Sequence, residues 1–97
     1  MKRDEAIIRL RRHQAEFMGL GVEHLYLFGS VARDEAVDGS DVDLFFDHER
    51  GSLGIYDLMN VKERAVAILG READVMTRAS LHPALKARIE SSAVQVF

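Results

Sequence analysis

Apolar positions recur along the chain in two rhythms, one suited to helices and one to strands. From Asp4 to Met18, apolar Ile7, Leu10, Phe17 and Met18 are separated by polar residues. That spacing predicts one helix with a single buried stripe, closed by a left-handed cap at Gly19 or Gly21. Val22 to Phe28 ends in an unbroken apolar run, Leu25-Tyr26-Leu27-Phe28, and reads as an interior strand covered on both faces. Gly29-Ser30 interrupts it. Val31 to Glu35 then suits about one helical turn with Ser30 as its N-cap. Val37-Asp38-Gly39-Ser40 is turn chemistry, and Asp41 to Asp47 reads as the second strand.

His48 to Gly54 reads as a loop. Leu58, Val61, Ala65, Ile68 and Leu69 return at helical spacing, and Gly70 ends that helix. Glu72 to Thr77 predicts a third short strand. Ser80 suits the N-cap of a last helix, with Pro83 in its first turn and Leu81, Leu85 and Ile89 as its buried stripe. Ala93 to Phe97 predicts an edge strand. The expected order is α-β-α-β-α-β-α-β: an α/β (α+β) chain, a small mixed β-sheet flanked by helices, with residues 1–97 as a single domain.

Composition narrows the function classes. A chain of 97 residues supports one modest core. It has no cysteine, so disulfides and thiolate metal sites are excluded. No apolar run approaches the roughly 20 residues of a membrane helix, and the basic start is too broken by arginines for a signal peptide. A cytoplasmic location is expected. The net charge of −3 gives no general pull toward nucleic acid, and no direct nucleic-acid binding is expected. Arg3, Arg9, Arg11 and Arg12 form a local basic cluster that fits a solvated helix face. The four histidines share no ligand spacing.

The chemistry gathers in three aspartates. Asp41 and Asp43 stand one residue apart, so on a strand both carboxylates would point to one side, their Cα atoms about 6.5 Å apart. Asp74 interrupts an otherwise apolar third strand, where a charge needs a partner or a metal. If the second and third strands are neighbours, three carboxylates could hold two magnesium ions about 4 Å apart. The Gly29-Ser30 turn would lie beside them and offer backbone N–H groups to an anion. Metal ligands beside an anion cradle point to a nucleotide phosphate and to in-line nucleotidyl transfer, with Asp74 as a candidate base. Simpler readings compete. Asp41 could be a turn residue, Asp43 an edge-strand gatekeeper, and Asp74 the partner of Arg71 or Arg78.

Gly29-Ser30, then the ten residues Val31 to Ser40, then Asp41-Val42-Asp43 resembles the signature of the polymerase-beta-like nucleotidyltransferase superfamily. The string GSVARDEAVDGSDVDLFF is similar to its smallest branch, the minimal nucleotidyltransferases, and Asp74 falls where that family places its third carboxylate. The resemblance implies Gly29, Ser30 and Arg33 as nucleotide contacts, and Asp41, Asp43 and Asp74 as catalytic magnesium ligands. It implies ATP as substrate and AMP transfer to a hydroxyl, in particular a tyrosine of a helical HEPN-type toxin that the chain would neutralise as its antitoxin. The chain departs from the family pattern at Asp34, where glycine usually follows the arginine. A carboxylate there predicts weaker nucleotide binding unless it points away. Arg33 can meet phosphate or pair with Asp34 or Glu35. Two alternatives stay open: a binding-only antitoxin acting by occlusion, and a small-molecule nucleotidyltransferase of the aminoglycoside type. A homo- or hetero-oligomer stays open, and the small-molecule reading would need a second subunit to complete the pocket.

Overall fold

A computed structural model describes residues 1–37, 39–49 and 53–97. Its elements are α1 (Arg3–Arg11), α2 (Gln14–Gly19), β1 (Val22–Phe28), α3 (Gly29–Ala32), β2 (Val42–His48), α4 (Ile55–Leu69), β3 (Ala73–Thr77), a 3-10 turn (Arg78–Ser80), α5 (Lys86–Ser92) and β4 (Val94–Gln95). The strands form one mixed sheet in the order β3-β2-β1-β4. β1 runs antiparallel to both β2 and β4, while β2 and β3 are parallel. Parallel neighbours need a crossover, and α4 supplies it.

One face of the sheet makes the core. Leu25 and Leu27 of β1 alternate inward with Val42, Leu44 and Phe46 of β2. They pack with Ala6 and Leu10 of α1 and with Val61, Ala65 and Leu69 of α4. α4 is well delimited. The carboxylate of Asp57 accepts the Gly54 N–H at 2.9 Å before its first turn, and Gly70 closes it at φ 70°.

Several sequence expectations need correction. The first helix is two, broken at Arg12-His13. The break is an i→i−3 step, His13 N–H to the Leu10 carbonyl at 3.0 Å, beyond a last turn already carrying Arg9 and Arg11. It turns Phe17 into the core against Phe97 and leaves Met18 52% exposed. Ser30 lies inside α3 and does not cap it; Phe28 holds that position. Asp41 precedes β2 and is not its first residue. The last helix begins at Lys86, five residues beyond Leu81, so Ser80 is no cap for it and Pro83 lies ahead of it. Instead the Ser80 hydroxyl meets that of Thr77 at 2.7 Å. The expected loop over His48 to Gly54 is described only at its ends. His48 belongs to β2, and Arg50 to Ser52, like Asp38 in the preceding turn, lie outside the described residues.

Candidate functional site

The second face of the sheet is built differently. It is lined by Tyr26 and Phe28 of β1, by Asp43, Phe45 and Asp47 of β2, and by Asp74 and Met76 of β3, following the strand register. Phe45 is fully buried here, apart from the main core. It stacks on Tyr26 at 4.8 Å between ring centroids, beside Phe28 at 5.6 Å. Arg78 lies over both rings of the stacked pair, 4.8 Å from Tyr26 and 5.0 Å from Phe45. Its guanidinium takes Asp47 bidentately at 2.7 and 3.1 Å and reaches Glu90 of α5 at 2.6 Å. Those carboxylates, Asp47 first, hold the Arg78 pKa still higher than usual. Arg78 therefore clips α5 onto this face. The sequence signalled an arginine there only as a possible partner of Asp74.

Asp43 and Asp74 are direct register partners on adjacent parallel strands. Residues paired in this way face the same side, so the two carboxylates are neighbours. β2 is an interior strand, which removes the gatekeeper reading of Asp43. No cation among the described residues forms an ion pair with Asp43 or Asp74; Arg78 is committed to Asp47 and Glu90. Burial pushes the Asp43 carboxyl up, and the charges of Asp74 and then Asp41 push it further. Asp41 is exposed, one residue before β2. Among the described residues no three such side chains already converge as a metal-ligand cluster.

Gly29 is the contact between the turn and the carboxylates. Its φ is +76°, a left-handed conformation that side chains rarely adopt. A Cβ there would collide with a carboxylate oxygen of Asp43 and come within 3.2 Å of its Cγ. Glycine is thus required twice, by conformation and by space. The turn passes straight into α3, whose first N–H groups have no carbonyl partner within the helix. The Ser30 hydroxyl makes no hydrogen bond among the described residues.

Arg33 donates from Nε to Glu35 at 3.0 Å, one of the two partners the sequence offered it. Asp34 turns elsewhere. Its carboxylate accepts the backbone N–H of Arg3 at 2.8 Å, capping α1 from 31 residues away, and it lines a separate cleft with Met1, Lys2 and Arg71. Its φ of +55° explains why glycine suits this position. Aspartate is among the residues that tolerate the same conformation.

A domain model described as "Nucleotidyltransferase domain" matches residues 9–96. The chain is 41% identical over 77 residues to a Methanocaldococcus jannaschii protein named "Putative protein adenylyltransferase", covering 79% of this chain and 82% of the relative. It superposes on a solved "putative minimal nucleotidyltransferase" with a TM-score of 0.83 at 28% identity, covering 97% and 95% of the two chains. It also shares its fold with a chain of the Shewanella oneidensis complex between a tri-AMPylated HEPN toxin and an MNT antitoxin. There the TM-score is 0.69 at 14% identity, covering 98% and 71%. The chain belongs to the nucleotidyltransferase-domain family, as a minimal nucleotidyltransferase of the polymerase-beta-like superfamily.

Proposed function

We propose that the chain is a magnesium-dependent adenylyltransferase that moves AMP from ATP to a hydroxyl, the acceptor being a tyrosine of a HEPN-type helical partner. The observation that carries this reading is the pairing of Asp43 with Asp74 directly against Gly29. Donor chemistry fits a hard divalent ion: the carboxylates offer only oxygen, and burial makes the Asp43 charge costly without a cation. Asp43, Asp74 and the exposed Asp41 would hold it. Magnesium, when bound, supplies polarisation of the α-phosphate and neutralises charge on the leaving group.

The chain's own groups do the rest. Gly29 lets the backbone approach the polyphosphate, and the N–H groups at the start of α3, with the Ser30 hydroxyl, donate to its oxygens. Arg33 adds positive charge at the same turn, where it already lowers the cost of ionising Asp43. Asp74 accepts the proton of the attacking hydroxyl. The acceptor oxygen bonds to the α-phosphorus, the bond from that phosphorus to the bridging oxygen breaks, and pyrophosphate leaves.

The named activity of the M. jannaschii relative supports protein as the acceptor class. The AMPylated toxin held by a structural neighbour supports a HEPN partner. Asp34, whose carboxylate predicted weaker nucleotide binding, caps α1 instead, which removes one of the arguments for a binding-only module. The test uses purified chain, magnesium, labelled ATP and the helical partner. Wild type is expected to label the partner. The Asp41→Asn, Asp43→Asn double variant is expected to fall by at least about 1,000-fold with an unchanged circular dichroism spectrum. Full labelling by a folded double variant overturns the two-aspartate mechanism.

A further inference from the structure

Beside Gly29 lies a cleft of about 590 Å³ between the end of β1 and α5. Phe28 and Gly29 form one wall, Leu85 and Ile89 the other, and Arg33 and Arg88 bring two guanidinium groups to it. This volume is in the range of small-ligand sites. Leu85 remains 46% exposed beside it.

We propose that Arg88, on the α5 side of this cleft, binds the β- and γ-phosphates of the bound nucleotide; the inference rests on the nucleotidyl-transfer reading above. A triphosphate needs positive charge that carboxylates have not already consumed. Around this face that charge is scarce. Arg78 is neutralised by Asp47 and Glu90, and Arg33, which serves the turn, shares its charge with Glu35 at 3.0 Å. The Arg88 side chain is exposed and has no hydrogen bond or ion pair among the described residues. Its backbone carbonyl accepts the hydroxyls of Ser91 and Ser92 at 2.9 and 3.0 Å, which fixes the helix around it and leaves the guanidinium free.

Position follows from the reaction. The α-phosphate belongs at Asp43 and Gly29, so the next two phosphates extend into the cleft, past Arg33 toward α5. The Arg78–Glu90 contact holds α5 in place to meet them. A planar guanidinium suits phosphate oxygens bidentately, whereas a lysine supplies only a point charge. Arg88 is thus a binding residue for the leaving pyrophosphate, on a helix the signature motif does not include.

Calorimetric titration of the full chain with magnesium, using a non-hydrolysable ATP analogue and AMP as separate probes, tests this. Arg88→Ala should weaken the ATP analogue by about tenfold or more and leave AMP within about twofold, since AMP lacks the two phosphates in question. Arg88→Lys should recover part of the loss. Equal losses for both probes, or no loss for either, overturn the assignment of Arg88 while the nucleotidyl-transfer reading stands. A wild-type chain that binds neither probe overturns both.

Discussion

The two faces of the sheet follow opposite rules. The face under α1 and α4 is saturated: Leu25, Leu27, Leu44 and Phe46 are fully buried and their neighbours are other apolar groups. The face under α5 is unsaturated. Its aromatic pair is covered by one arginine, its acidic pair has no ion-pair partner among the described residues, and one of its walls leaves Leu85 exposed. Both faces are drawn from the same strands, because alternate residues of β1 and β2 go to opposite sides. Leu44 packs into the core, and Asp43, one residue earlier, faces the open side as a proposed metal ligand. If the open face carries the proposed chemistry, substitutions on the two faces should separate stability from transfer.

The largest expected effect is on the closed face. Leu44→Ala removes a fully buried side chain from a strand held between two others, and should cost about 2–5 kcal/mol in denaturant unfolding. Labelling of the partner by the fraction that remains folded should be unchanged. A loss below about 1 kcal/mol would mean that this face is looser than its burial says. Gly29→Ala is intermediate and touches both properties. The left-handed φ of +76° should cost about 1–2 kcal/mol. The new methyl displaces the Asp43 carboxylate, so transfer should drop by about 100-fold or more even under conditions where the variant is fully folded. Wild-type transfer by a folded Gly29→Ala chain would separate the turn from the acidic pair.

The closed face was legible in the sequence because burial writes a period. The runs LYLF and VDLFF, and the spacing of Val61, Ala65 and Leu69, are direct records of it. Gly29, Asp43 and Asp74 were legible as a constellation because glycine and aspartate are poor strand interiors and need a reason to be there. Non-local contacts left no such record. The break at His13 brings Phe17 against Phe97, at the far end of the chain. The role of Asp34 depends on an N–H in the first helix, 31 residues earlier, though a carboxylate at a glycine position was a hint of left-handed backbone. The late start of α5 follows neither Ser80 nor Pro83, and the Arg78–Glu90 contact that ties it to the sheet is one no spacing rule encodes.

The smallest effect reverses sign, which makes it the sharpest test of the contrast. Burial and the neighbouring Asp74 and Asp41 raise the Asp43 pKa above its ordinary 3.8, so the folded chain holds that proton more tightly than the unfolded chain. Asp43 therefore favours folding below its ordinary pKa, and that contribution is lost as pH rises through the raised folded value. At neutral pH the ionised Asp43 is a net cost to the fold. Asp43→Asn, which cannot ionise, should then be more stable than wild type at pH 7, while failing to transfer AMP. The difference in melting temperature should shrink as pH is lowered toward 4. Added magnesium should narrow it too, because a cation bound by the wild-type carboxylates stabilises only the chain that has them. A variant less stable than wild type at pH 7 in the absence of magnesium would show that the Asp43 carboxylate is already well solvated or paired, and the open face would lose its claim to be a site strained in favour of chemistry.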